Sequence, residues 1–151
     1  MVYTNGSELD RLETALEAAG FAWWWIELPA GGVFFSPNRT RMIGREKENF
    51  FHYTDFIKLA HEDDQANILQ AINDHIEGKT DQYESVYRMK TADGEERTFY
   101  DKGRIVARKA NGEMELGGIV MDVTDVNWTN VARMGRRTVK PKRTVKELKA
   151  A

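Results

Sequence analysis

Apolar positions change rhythm several times along the chain, and each change marks an element. Over residues 7–19, Leu9, Leu12, Leu16 and Ala19 recur at three- and four-residue steps, the spacing of one helical face. Ser7 and Asp10 stand where a capping box opens a helix, and Gly20 stands where one stops. The stripe is narrow and short, so it suits either a cover for the chain's own sheet or pairing with a second copy. Residues 21–28 (FAWWWIEL) are aromatic and β-branched and predict a strand. Residues 29–32 predict a turn, and residues 33–36 a returning strand. Trp23 and Trp25 fall on one face of the first strand and Trp24 on the other, so both faces are expected to be partly covered.

Ser36-Pro37 predicts a short helix over 38–43, with proline at its opening and Gly44 at its end. Residues 45–61 predict short helical pieces anchored by Phe50, Phe51, Phe56, Ile57 and Leu59. The strongest helical pattern covers 62–77. Glu62, Asp63 and Asp64 sit at its start, where the helix dipole favours acids, and Ile68, Leu69, Ile72 and Ile76 share a face. Three strand-like runs follow. In 82–91, Tyr83, Ser85, Tyr87 and Met89 alternate with Gln82, Glu84, Val86 and Arg88. Asp93-Gly94 and Asn111-Gly112 are hairpin-turn dipeptides. They bound a run over 96–108, bent at Gly103, and a last run over 113–124, interrupted by Gly117-Gly118. Five antiparallel strands with helices inserted after the second make an α+β fold, helices on one face and a flanking helix at the N-terminus.

A chain of 151 residues suits one domain. It contains no cysteine, which excludes disulfides, thiolate metal sites and thiol nucleophiles. No apolar run is long enough to span a membrane, and no signal peptide is evident, so a cytoplasmic location is expected. The net charge of −2 hides an asymmetry. Residues 127–151 carry eight Lys or Arg and one acid, a net of +7, against 14 basic and 23 acidic groups in the other 126, a net of −9. The organisation expected is a flanking helix over 1–19, a domain over 20–125 and a basic tail or linker over 126–151. The tail has no recognition motif or interleaved aromatics, so neither nucleic-acid nor membrane contact is expected of it.

Certain words recur in a fixed order: Trp23 and Trp25 before a glycine-rich turn, Phe35-Ser36-Pro37, Arg41-Met42-Ile43-Gly44 and His61-Glu62-Asp63-Asp64. Tyr87-Arg88-Met89, Ala92-Asp93-Gly94, Gly103-Arg104, Gly117-Gly118 and Met121-Asp122-Val123-Thr124 follow. The ordered set, over roughly residues 20–125, resembles the PAS domain family, especially members from bacterial and archaeal histidine kinases and cyclic-dinucleotide enzymes. Departures are Glu62, where members often carry Pro, and the segment after Thr124, where Gly135 and Pro141 interrupt any long helix. The resemblance implies a non-catalytic sensory and relay domain of a two-component or related signal-transduction protein, working as a homodimer. No effector domain is recognisable after residue 125.

Within that frame Asp122 and Thr124, on one side of the last strand's end, are the candidate coupling pair. Leu9, Leu12 and Leu16 are the candidate dimer seam, together with the outer sheet face. A pocket, if one forms, is expected between the sheet and residues 42–76, lined by Met42, Ile57, Ile72, Tyr87, Met89 and Phe99. Haem-binding members use a histidine on the long middle helix; by resemblance the corresponding residue is His75, at the edge of its apolar face. The aromatic residues read first as packed core, so no cofactor is expected, and haem, non-covalent flavin or a small-molecule ligand are the alternatives. Covalent flavin photochemistry is excluded with cysteine. No metal site is expected: the three histidines lack metal-binding helix spacing, and the cluster at 61–64 reads as a helix cap. No Ser-His-Asp or phosphate-loop arrangement points to an enzyme.

Overall fold

In the computed structural model, which describes residues 6–127, Ser7 caps helix α1 (Glu8–Ala18) in a reciprocal capping box with Asp10. Gly20, with φ of +80°, turns the chain into strand β1 (Phe21–Leu28), which pairs with β2 (Gly32–Phe35). Helix α2 (Pro37–Arg41) begins on its proline, and α3 (Tyr53–Ile57) and α4 (Glu62–Ile76) complete the helical middle. Strands β3 (Tyr83–Lys90), β4 (Glu96–Arg108) and β5 (Met114–Asp122) close the sheet. Its order is β2-β1-β5-β4-β3, and every neighbouring pair is antiparallel. The last strand therefore lies in the centre, between the first strand and the fourth.

Glycines decide how the sheet is packed. Trp24 lies opposite Gly118, and Gly118 lies opposite Gly103 on β4. A Cβ on Gly118 would stand 2.4 Å from the Trp24 indole, and one on Gly103 2.7 Å from it. With no side chains in the way, the indole crosses β5 and reaches β4 on the inner face. Trp25 makes the equivalent close approach to Gly117. The "broken" strand character of Gly117-Gly118 is thus a seat for two tryptophan rings, with the ladder continuous through it.

Alternation in β3 is as the sequence predicts. Tyr83, Tyr87 and Met89 are buried and Val86 is exposed. Together with Ala22, Trp24, Ile26, Phe99, Leu116 and Val120 they form the sheet half of the core, and Ile43, Phe56, Ile57, Ile68 and Ile72 form the helical half. Two expectations need correction. Phe51 is 77% exposed, and Phe50 anchors the loop instead by stacking on Phe56 at 4.3 Å. Helix α4 buries Ile68, Ile72 and His75, whereas Leu69 lies on its exposed side and Ile76 is only partly buried.

The cluster at 61–64 caps α4, but by different groups from those expected. His61 is the N-cap, and its Nδ1 accepts from the Asp63 amide. Asp64 turns away from the helix. It accepts from the backbone N–H of Arg88 at 2.8 Å and from its guanidinium at 3.0 and 2.9 Å. This fork pins the start of α4 to β3, and the guanidinium bonds are the main reason the Asp64 carboxyl is held below its ordinary range. The basic tail lies outside the described residues from position 128 on.

Candidate functional site

Between the inner face of the sheet and α3 and α4 lies a cavity of about 50 Å³. Its lining is mostly apolar, and four polar side chains meet in it. The path of Trp24 over the glycines delivers its Nε1–H to Oδ1 of Asp101. The Tyr87 hydroxyl donates to Oδ2 of the same carboxylate at 3.2 Å, and Nη2 of Arg39 donates to that hydroxyl at 3.1 Å. All four side chains are buried. Arg39 comes from the short helix opened by Pro37, and its guanidinium lies 4.6 Å from the centre of the Phe56 ring.

The electrostatics of this cluster follow from its depth. Burial pushes the Asp101 carboxyl up to about 6, against the opposing pull of Arg39 and of the bonds from Trp24 and Tyr87. Burial likewise raises the hydroxyls of Tyr83 and Tyr87 above their ordinary values. The Nη1 of Arg39 is shut off from solvent and has no partner among the described residues. Arg39 and Asp101 were not among the residues expected from sequence. An arginine two positions after a proline and an aspartate in the middle of a strand read as surface groups until the fold turns them inward.

Of the expected lining, Ile57, Ile72 and Tyr87 do face the cavity. Met89 and Phe99 are core residues outside its walls, and Met42 packs at the edge of the core. His75 is buried yet stands elsewhere too. Its Nδ1 donates to the Thr80 carbonyl, and its Nε2 accepts from the Ile105 amide at 2.9 Å. Nε2 thereby ties the end of α4 to β4, and Nδ1 ties it to the turn that leads into β3. The cavity is also about a third of the roughly 150 Å³ that admits a benzene ring.

At the exit from β5, Asp122 and Thr124 stand together as expected. Thr124 donates to Oδ1 of Asp122 through its amide at 2.9 Å and its hydroxyl at 2.6 Å. Its Oγ1 accepts from the Thr98 amide at 2.8 Å, so the exit is tied across to β4. Arg97 joins the knot, pairing with Asp122, with Asp125 at 3.0 Å and with Glu95 at 2.8 Å. Burial opposes ionisation of Asp122, but the bonds from Thr124 and Arg97 outweigh it and hold the carboxyl low.

Leu9 and Leu12 are 64% and 57% exposed and Leu16 is half-buried. Helix α1 touches the body mainly through Glu13, which accepts from the Trp23 indole N–H at 3.1 Å, and through the ion pair of Glu17 with Arg41. No helix among the described residues is long and apolar enough to cross a membrane.

The comparisons agree with this architecture. A sensory box histidine kinase/response regulator from Burkholderia thailandensis is 25% identical, with a TM-score of 0.64, over 93% of this chain and 99% of that one. The N-terminal domain of a diguanylate cyclase with a PAS/PAC sensor from Marinobacter aquaeolei is 20% identical, with a TM-score of 0.60, over 69% and 95%. A domain of a light- and redox-sensing histidine kinase from Haloarcula marismortui is 16% identical, with a TM-score of 0.60, over 76% and 99%. No curated protein matches. The family model described as the PAS fold matches residues 32–120, and with the five-stranded order and the inner cavity in agreement, the chain belongs to the PAS fold family.

Proposed function

We propose that the chain is the non-catalytic sensory and relay part of a cytoplasmic signal-transduction protein of the two-component type, acting as a homodimer. The observation that carries the reading is the uncovered apolar strip on α1. Leu9 and Leu12 point away from the chain's own core, yet α1 is capped at its start and fastened to β1 and α2 by Glu13 and Glu17. A helix built this firmly while exposing leucines is suited to a second copy of itself. The exposed Phe34, Val86 and Val106 extend the same character across the outer sheet face.

Relay follows from position. Residues 97, 98, 122 and 124 knot the exit of the central strand to its neighbour. A change in the cavity at Trp24 or Asp101 is carried by β5 and β4 to this knot and to whatever follows it. The neighbours' kinase and cyclase names support a signalling setting. Sedimentation equilibrium tests the assembly: a dimer is expected, with Leu9→Asp/Leu12→Asp shifting it to monomer. A strict monomer at high concentration, or a dimer indifferent to both aspartates, contradicts the reading.

A further inference from the structure

We propose that the basic tail returns to the sheet and adds a short antiparallel strand to the free edge of β3, through either copy of a repeated Arg-Thr-Val-Lys segment. Such a strand needs no second copy of the chain, so it stands apart from the dimer.

The outer edge of β3 is half closed. Arg88 turns both backbone groups away from β4: its N–H donates to Asp64, and its C=O accepts from the His61 amide at 2.8 Å. Backbone groups alternate sides along a strand, so those of Glu84 and Val86 face the same way as those of Arg88. At the Arg88 end the edge is covered by the Asp64 fork and by the bridge from Ala60 to Met89. Further back it is open, and no described residue bonds the outward backbone groups of Glu84 or Val86. Val86 is 61% exposed, and a groove runs beside it, bordered by Ala71 and Asp74 of α4 and by Ser85 of β3. The opposite edge of the sheet offers less: β2 has four residues, and Gly32 is bridged to His52. Natural sheets cover or blunt an edge that would otherwise stay open.

The tail supplies both the pattern and the reach. Arg-Thr-Val-Lys occurs twice, at 137–140 and at 143–146, and each copy holds a β-branched pair between cations. Asp122 is level with Phe99, and Phe99 with Tyr87, so β5 ends level with the covered end of β3, two strands away. That is about 10 Å across the sheet. Residues 128–137 cover at most about 33 Å when extended, ample for the first copy to arrive. Because β5 runs parallel to β3, a chain turning back from its end meets β3 antiparallel. One register suits both copies. With Thr138 or Thr144 opposite Val86, Lys140 or Lys146 falls opposite Glu84, an opposite-charge cross-strand pair. Val139 or Val145 then falls opposite Ser85, on the side of the groove and Ala71. Pro141 takes a position whose backbone nitrogen faces away from β3, where an edge strand tolerates proline.

Amide hydrogen exchange in the ¹⁵N-labelled full chain reads the edge residue by residue. In the wild type, Glu84 and Val86 are expected to exchange at least about tenfold more slowly than unstructured amides, since each lends its N–H to the added strand. Thr138→Pro together with Thr144→Pro removes the donor that faces Val86 in both copies. That variant should return Glu84 and Val86 to the unprotected rate and leave Tyr87 and Phe99, which lie in the ladder of β3 and β4, unchanged. Protection should also survive about tenfold dilution, because a tethered strand binds at a fixed effective concentration. Unprotected Glu84 and Val86 in the wild type overturn the proposal, as does protection that persists with both prolines. Protection lost on dilution shows that the strand comes from a second copy and overturns the return of the chain's own tail. The wild-type measurement decides by itself, even if the proline variant does not fold. Sedimentation of the same samples follows the dimer, so absent protection with an intact dimer refutes the added strand and leaves the relay reading standing.

Discussion

Helix α4 presses Ile68 and Ile72 into the core, while α1, with leucines at the same three- and four-residue spacing, leaves Leu9 and Leu12 more than half exposed. The difference lies in what each helix meets. Helix α4 lands on the inner face of the sheet, where Tyr83, Tyr87 and Leu116 present an apolar surface and the Asp64–Arg88 fork fixes its entry. Helix α1 reaches only the rim of β1 and is held by polar bonds from its acidic side. Periodicity thus reports that a helix has an apolar face, and leaves open which partner will cover it.

The contrast can be broken most forcefully on the inner side. Ile72→Ala is expected to cost about 3 kcal/mol of unfolding free energy, as large-to-small changes in a closed core do, measured by urea denaturation. A loss under about 1 kcal/mol would mean that α4 is not the main cover of the sheet.

Next in size is the pH response of Asp101. Its folded pKa of about 6 lies above the ordinary 3.8, so between these values the native protein holds the proton and the unfolded chain does not. Stability contributed by this group therefore falls as pH rises through that window, by about 3 kcal/mol in all. Asp64 and Asp122, held low, act in the opposite sense and lose their contribution as the pH falls. Subtracting the Asp101→Asn stability curve from that of the wild type isolates the first effect. A flat difference between pH 3.8 and about 6 would show that Asp101 is not enclosed as described.

At the strand exit, Thr124→Val removes the acceptor of the Thr98 amide and should cost about 1 kcal/mol. Hydrogen exchange at Thr98 should quicken while core amides are unchanged. On α1, Leu12→Ala should alter monomer stability by less than about 0.5 kcal/mol. Its effect belongs in the dimer dissociation constant, read by sedimentation. A stability loss approaching that of Ile72→Ala would show that α1 covers its own domain after all.

Much of this was legible in the chain. The flanking helix, the hairpin of β1 and β2, the proline-led short helix, the inward tyrosines of β3 and both Asx-Gly turns follow from local rules. The candidate site was legible only in part. Ile57, Ile72 and Tyr87 declared themselves as inward apolar positions, but Arg39 and Asp101 are charged and carry no local sign of burial. His75 left two readings open, because a histidine on an apolar face looks the same in sequence whether it meets a ligand or two backbone groups.

The sequence by itself determined the elements, their faces and the antiparallel α+β plan, because helix and strand periods and turn chemistry act over a few residues. Only the tertiary structure decided which charged groups go inside. That choice depends on partners distant in the chain: Trp24 reaches Asp101 across 77 positions, and does so because two glycines on other strands leave room for its ring. No local pattern encodes such a meeting, since its energy exists only once the strands are side by side.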